Sequence, residues 1–251
     1  MSGLAGTAVV MLHGQPATRA SWWAVTRRLD GVRVLDPDRP GYGFNPRPAT
    51  DFAGNVAWLM ELLDTEQVER AVLAGHSWGA GVALLAAARH PDRVAGLALV
   101  APIGPHCVLL SDRVLAAPVA GEVLAFGAVR LAGRWMRQRR LAEFDGHLDR
   151  ADLPAARGEL AAQFDRPVWR SFLVEQRALV HQLPLLDGAL SAVDCPVRIV
   201  AGTEDSVIPR RTVEAIQRRL RDSTVSWVDG AGHDLPLLAP GPVADAIGAL
   251  L

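Results

Sequence analysis

The sequence predicts an α/β fold: a mostly parallel sheet of about six strands, helices on both faces, and an inserted helical cap. Three observations predict it. Short apolar, β-branched runs alternate with helical patterns in the first and last parts of the chain. The runs are nearly continuously apolar, as strands buried on both faces are. The alternation is interrupted once, by a long stretch in which only helical patterns and proline-marked turns occur.

In order, TAVVML (7–12) is the first strand and ends at His13-Gly14. TRASWWAVTRRLD follows with Trp22, Val25 and Leu29 at helical spacing. VRVLD (32–36) is the second strand, closed by the loop PDRPGYGFNPRP. DFAGNVAWLMELLD carries Val56, Leu59, Met60 and Leu63 on one stripe, with Asp51 placed to cap the helix. RAVLAGH is the third strand and WGAGVALLAAARH its helix; VAGLALVAP is the fourth strand. From 103 to 192 no convincing strand occurs. VRIVAG, TVEAIQRRL, STVSWVD and PVADAIGALL then resume the alternation as strand, helix, strand and closing helix. The expected organisation is a core of 1–102 and 193–251 with a helical cap inserted over 103–192. In open α/β sheets, ligands bind beyond the carboxyl ends of the strands, and such an insertion lies over that end.

Composition narrows the function classes. Half of the 251 residues are hydrophobic, enough for one large core. The formal net charge is -1, which gives no reason to expect a nucleic-acid partner. Every one of the 26 basic residues is Arg, a bias we read as genomic. Cys107 and Cys195 are expected as packed, reduced thiols. The N-terminal run lacks a basic start and reads as a strand, not a signal peptide, and no apolar run reaches membrane-spanning length. The expectation is a cytoplasmic protein. His106, Cys107, His147 and His181 have no metal-ligand spacing, so neither metal nor other cofactor is expected.

Chemistry concentrates at the predicted carboxyl ends. His13-Gly14-Gln15-Pro16 follows the first strand, GHSWG with Ser77 the third, GTEDS with Asp205 the fifth, and GAGHD with His233 the last. A serine hydroxyl is a poor nucleophile unless a base lies within hydrogen-bond reach, and histidine has the suitable pKa. A carboxylate fixes the histidine tautomer and stabilises its charged form. The anionic intermediate needs preorganised N–H donors. Rival acids exist nearby in Glu204, Asp222, Asp229 and Asp234, but position favours Asp205.

With these motifs in this order, the sequence resembles the α/β-hydrolase superfamily over nearly the whole chain outside the cap. GHSWG is similar to its G-x-S-x-G nucleophile elbow, HGQP to its oxyanion loop, GTEDSVIP to its acid loop and GAGHD to its histidine loop. DRPGYG (38–43) resembles a further loop of the same group. The resemblance implies Ser77 as nucleophile, Asp205 as acid, His233 as base, and the backbone N–H groups of Gln15 and Trp78 as oxyanion donors. It implies a serine hydrolase acting on an ester, thioester, lactone or activated carbonyl compound. A cofactor-free lyase, cyclase or carbon–carbon hydrolase is the alternative, and a non-catalytic receptor a more remote one. Relatives that cleave carbon–halogen bonds or epoxides carry Asp at the elbow, so Ser77 argues against both chemistries. Too few residues precede HGQP for the two-strand hairpin with which the family usually begins. VRVLD is therefore expected near an exposed edge, which leaves a homodimer open.

Other residues have plainer readings. His13 and His76 are expected to support their loops. Asp36, Asp38 and Arg39 are expected to tie their own loop together. The arginines 130, 134, 137, 139 and 140 form either a solvated helix face or an anion-steering rim. Trp135 and Trp169, in an apolar cap, suggest a medium-sized apolar or aromatic acyl group as substrate.

Overall fold

A computed structural model of the chain describes residues 7–127 and 168–251. The arginine-rich stretch, Trp135 and His147 lie outside the described residues. The sheet has six strands in the order β2-β1-β3-β4-β5-β6, and every pairing is parallel. These are β1 (Ala8–Leu12), β2 (Val34–Leu35), β3 (Ala71–His76), β4 (Val94–Val100), β5 (Val197–Gly202) and β6 (Ser223–Val228). All five residues of β1 and all six of β3 are buried, as their apolar composition requires of strands covered on both faces.

The predicted edge is confirmed, with a smaller strand than expected. Only Val34 and Leu35 of VRVLD pair with β1, and among the described residues β2 has no neighbour on its other side. Pro37 follows directly and begins the loop that crosses the end of the sheet.

Two apolar layers sandwich the sheet. On one face pack α2 (Phe52–Thr65), α3 (Trp78–Arg89) and part of α6 (Arg210–Arg219), with Phe52, Leu59, Leu63, Trp78 and Ile216 fully buried. On the other face Trp22, α1 (Trp23–Thr26), α7 (Leu235–Leu238) and α8 (Pro240–Gly248) cover Val9, Met11, Val72 and Val200. The predicted cap on α2 forms: Asp51 Oδ1 accepts the N–H of Gly54 at 2.9 Å. Between β4 and β5 the described residues are helical, in α4 (Leu110–Ala116), a second helical stretch over 120–127, and α5 (Val168–Ala189). Helix α5 lies against α3, and its Leu173, Glu175, Gln176, Ala178 and Leu179 are buried. Among the described residues, no helix is long and apolar enough to cross a membrane.

Candidate active site

Ser77 occupies the turn between β3 and α3. Its backbone has φ 51° and ψ -114°, a conformation that L residues rarely adopt. Holding a non-glycine residue there costs about 1–3 kcal/mol, and the surrounding structure must impose it. The imposition is visible. Ser77 N–H donates to Val100 O at 2.9 Å, and Ser77 O accepts from Ala80 N–H at 3.1 Å. The flanking glycines are required by close approach. A Cβ at Gly75 would lie 2.6 Å from Ala80 Cα, and one at Gly79 would lie 2.2 Å from Leu12 O. Any side chain at either position would push α3 away from the sheet. The tight turn at GHSWG is thus fixed by the close packing of this strand–helix junction.

The acid and the histidine meet. His233 Nδ1 lies 2.9 Å from Asp205 Oδ2, while Asp205 Oδ1 accepts the N–H groups of Val207 and Ile208, each at 2.8 Å. The carboxylate can only accept, so Nδ1 carries the proton and Nε2 is left as the basic atom. Burial opposes ionisation of Asp205. The His233 hydrogen bond and charge and the two N–H groups outweigh it, holding the carboxyl below its ordinary value. Among the described residues Ser77 Oγ makes no hydrogen bond. Its neighbour His76 makes the connection: the two imidazole rings lie 4.9 Å apart, and His76 Nε2–H donates to His233 O at 3.0 Å. Burial and the facing His233 push the His76 pKa down to about 4, so this ring is neutral.

The loop after β1 lies against the elbow. A Cβ on Gly14 would sit 3.3 Å from Ser77 Cβ. Trp78, the other predicted donor, is the first residue of α3, so its N–H has no carbonyl in its own helix. Its indole is not an open wall: Trp78 is fully buried, stacked on Phe52 at 4.2 Å, and its Nε1–H donates to Glu175 O.

His13 supports its loop as expected. Its Nε2 accepts the N–H of Arg39 and its Nδ1–H donates to Gly14 O, both at 2.9 Å. Burial and the Arg39 charge hold His13 well below the usual histidine range, so it too is neutral. Asp38 also behaves as expected, accepting the N–H groups of Arg19 and Phe44. Arg39 does not. Sequence reasoning tied it to its own loop, but its guanidinium pairs with Glu175 of α5, and both side chains are 0% exposed. The guanidinium stacks over Trp78 at 4.6 Å. Tyr42 O–H donates to Glu175 Oε2 at 2.7 Å. Burial pushes the Glu175 carboxyl up, opposed by the Arg39 charge and the hydrogen bonds from Arg39 and Tyr42.

Beside this pair, Gln15 Nε2–H donates to Gln176 Oε1 and Gln176 Nε2–H to Asp112 Oδ1, each at 3.0 Å. Glu175 and Gln176 were missed in the sequence. The signal for Glu175 was a lone acid at i+3 from Phe172 and i−4 from Leu179, on the apolar stripe of its helix. Cys107 and Cys195 are buried free thiols, each pushed by burial up to about 11.

A family model described as "alpha/beta hydrolase fold" matches residues 7–240. Epoxide hydrolase A of Mycobacterium tuberculosis is 32% identical, over 95% of this chain and 88% of the relative. The pimeloyl-[acyl-carrier protein] methyl ester esterase of Aromatoleum aromaticum is 30% identical, over 90% of each chain. Among solved structures, Cfl2 from Burkholderia cenocepacia superposes with a TM-score of 0.79 at 23% identity, covering 98% of this chain and 88% of that one.

Proposed function

The chain belongs to the α/β-hydrolase fold family, and from that premise we propose that it is a serine hydrolase with Ser77, His233 and Asp205 as its triad. The substrate is an ester, thioester, lactone or similar activated carbonyl compound. The observation that carries the reading is a serine on a strained strand–helix turn, whose neighbour His76 bonds the backbone of a histidine whose tautomer a carboxylate sets. That is the arrangement acyl transfer needs. The esterase relative supports ester chemistry, while the epoxide hydrolase relative keeps the fold alone from deciding it.

In this reading Ser77 Oγ attacks the carbonyl carbon and His233 Nε2 takes its proton. Asp205 stabilises the resulting imidazolium. The N–H groups of Gln15 and Trp78 hold the oxyanion. The carbon–oxygen or carbon–sulfur bond to the leaving group breaks, and His233 returns the proton to that group. Water, deprotonated by His233, then attacks the acyl carbon. The acid leaves and Ser77 regains its proton. The insertion 103–192 acts as the cap that encloses the acyl chain, and 1–102 with 193–251 form the core.

The test is labelling by a fluorophosphonate probe together with turnover of 4-nitrophenyl esters of graded chain length. The expected result is stoichiometric labelling of the wild type, none of S77A, and a turnover loss of about 10³–10⁶ in S77A. An unlabelled wild type, or an S77A variant that hydrolyses the esters equally well, contradicts the reading.

A further inference from the structure

All donors of the buried Arg39 are engaged. An arginine side chain offers five N–H groups in a fixed planar fork. Arg39 Nε–H donates to His13 O at 2.8 Å and Nη2–H to Gly14 O at 3.0 Å. The second Nη2–H meets Glu175 Oε2 at 3.2 Å, while Nη1 meets Glu175 Oε1 and, at 3.4 Å, Asn55 Oδ1. One face of the fork thus holds two successive carbonyls of the loop after β1, and the other is held by a carboxylate from the inserted helix.

The carbonyl of Gly14 and the N–H of Gln15 belong to one peptide unit. That unit is trans, since Gln15-Pro16 is the one cis bond among the described residues. In a planar trans unit the C=O and the N–H point in opposite directions. Gly14 O is gripped twice, by Arg39 Nη2–H and by His13 Nδ1–H. Whatever fixes the direction of that carbonyl therefore fixes the direction of the Gln15 N–H.

We propose that Glu175 is a positioning residue for the oxyanion donor: anchored by Tyr42 and Trp78, it holds the Arg39 fork, which sets the Gly14–Gln15 peptide plane. The inserted helix thereby acts on the chemical step and not only on substrate choice. With α5 docked, the Gln15 N–H is held where charge develops; with the carboxylate gone, Arg39 loses the partner opposite the loop. This proposal rests on the serine-hydrolase reading.

The test compares wild type, E175Q, Y42F, R39K and S77A on 4-nitrophenyl butyrate. Inhibition by butylboronic acid, a mimic of the tetrahedral anion, is measured on each. A glutamine at 175 must turn an N–H₂ toward either Nη1 or the Nη2–Tyr42 side, donor against donor. E175Q is expected to lose about 10- to 100-fold in kcat with KM unchanged. Its affinity for the boronate should fall by the same factor. R39K should lose as much, because an ammonium cannot span both carbonyls and the carboxylate. A folded E175Q with wild-type kcat and boronate affinity, or one in which only KM rises, overturns the proposal. Should E175Q fail to fold by circular dichroism, Y42F decides. It removes one hydrogen bond to Glu175 and should lower kcat and boronate affinity together by about 2- to 5-fold; no change overturns the proposal. Wild-type turnover that S77A does not abolish instead overturns the hydrolase reading, and the proposal with it. Wild-type turnover that S77A abolishes but E175Q leaves intact overturns the proposal alone.

Discussion

Replacing Ser77 by glycine is expected to stabilise the protein relative to replacing it by alanine, against the usual order of those two residues. Alanine normally exceeds glycine by about 0.5–1 kcal/mol, because glycine loses more backbone entropy on folding. At position 77 the backbone sits at φ 51° and ψ -114°, outside the common region for any residue with a Cβ. That conformation costs about 1–3 kcal/mol, which alanine retains and glycine relieves. The difference leaves S77G ahead of S77A by about 1 kcal/mol, or about 2–4 °C in Tm for a chain of this size. Neither variant has the hydroxyl, so activity does not confound the comparison. The assay is a thermal melt with a parallel urea titration, both variants at one pH and salt concentration. An S77A protein as stable as S77G, or more so, would refute the strain argument. The turn would then be imposed without cost, and the two flanking glycines would be its whole cause.

Three further outcomes follow from the same geometry. D205N removes the acceptor that holds the His233 Nδ1–H, and kcat should fall about 10³- to 10⁴-fold, as when a triad tautomer is lost; a small effect measured on activated esters would move the acid elsewhere. R39M leaves the Glu175 carboxylate buried and unpaired and should cost about 3–5 kcal/mol in a urea titration. R39M/E175L should recover much of that stability without recovering activity; a double variant whose loss equals the sum of the two singles would contradict the coupling. His76 has its folded pKa pushed down to about 4, below its value in an unfolded chain. The unfolded state therefore binds the extra proton first, so stability should be full above pH ~6.5 and decline as the pH falls toward 4. H76Q, which keeps a donor for His233 O, should flatten that slope in Tm measured against pH, and an unchanged slope would assign it to other groups.

What the sequence made legible was local. A strand, a tight turn and a helix are read from consecutive residues, so β1, β3, β4, β5, β6 and the Ser77 elbow stand where the pattern put them. Each predicted triad residue lies in the turn or loop just after a strand, and in a parallel sheet that is enough to bring carboxyl ends together. The Arg39–Glu175 pair was not legible in that way. Its members are 136 residues apart, on a loop and on an inserted helix, and no periodicity links them. Arg39 lies in a loop with acids of its own, Asp36 and Asp38, which offered a nearer and wrong partner. β2 was overestimated for a related reason. The run VRVLD has strand composition, but an edge strand with one neighbour and a proline behind it has little to extend its pairing.

In the proposed reaction Ser77 forms a covalent acyl intermediate. Acid quenching of the enzyme during turnover of an activated ester, followed by proteolysis and mass spectrometry, reads this directly. The expected result is one acyl group on the peptide that contains Ser77, absent from S77A. Turnover with Ser77 unmodified at every quench time would contradict it and point to acid–base chemistry at His233 without an acyl-enzyme.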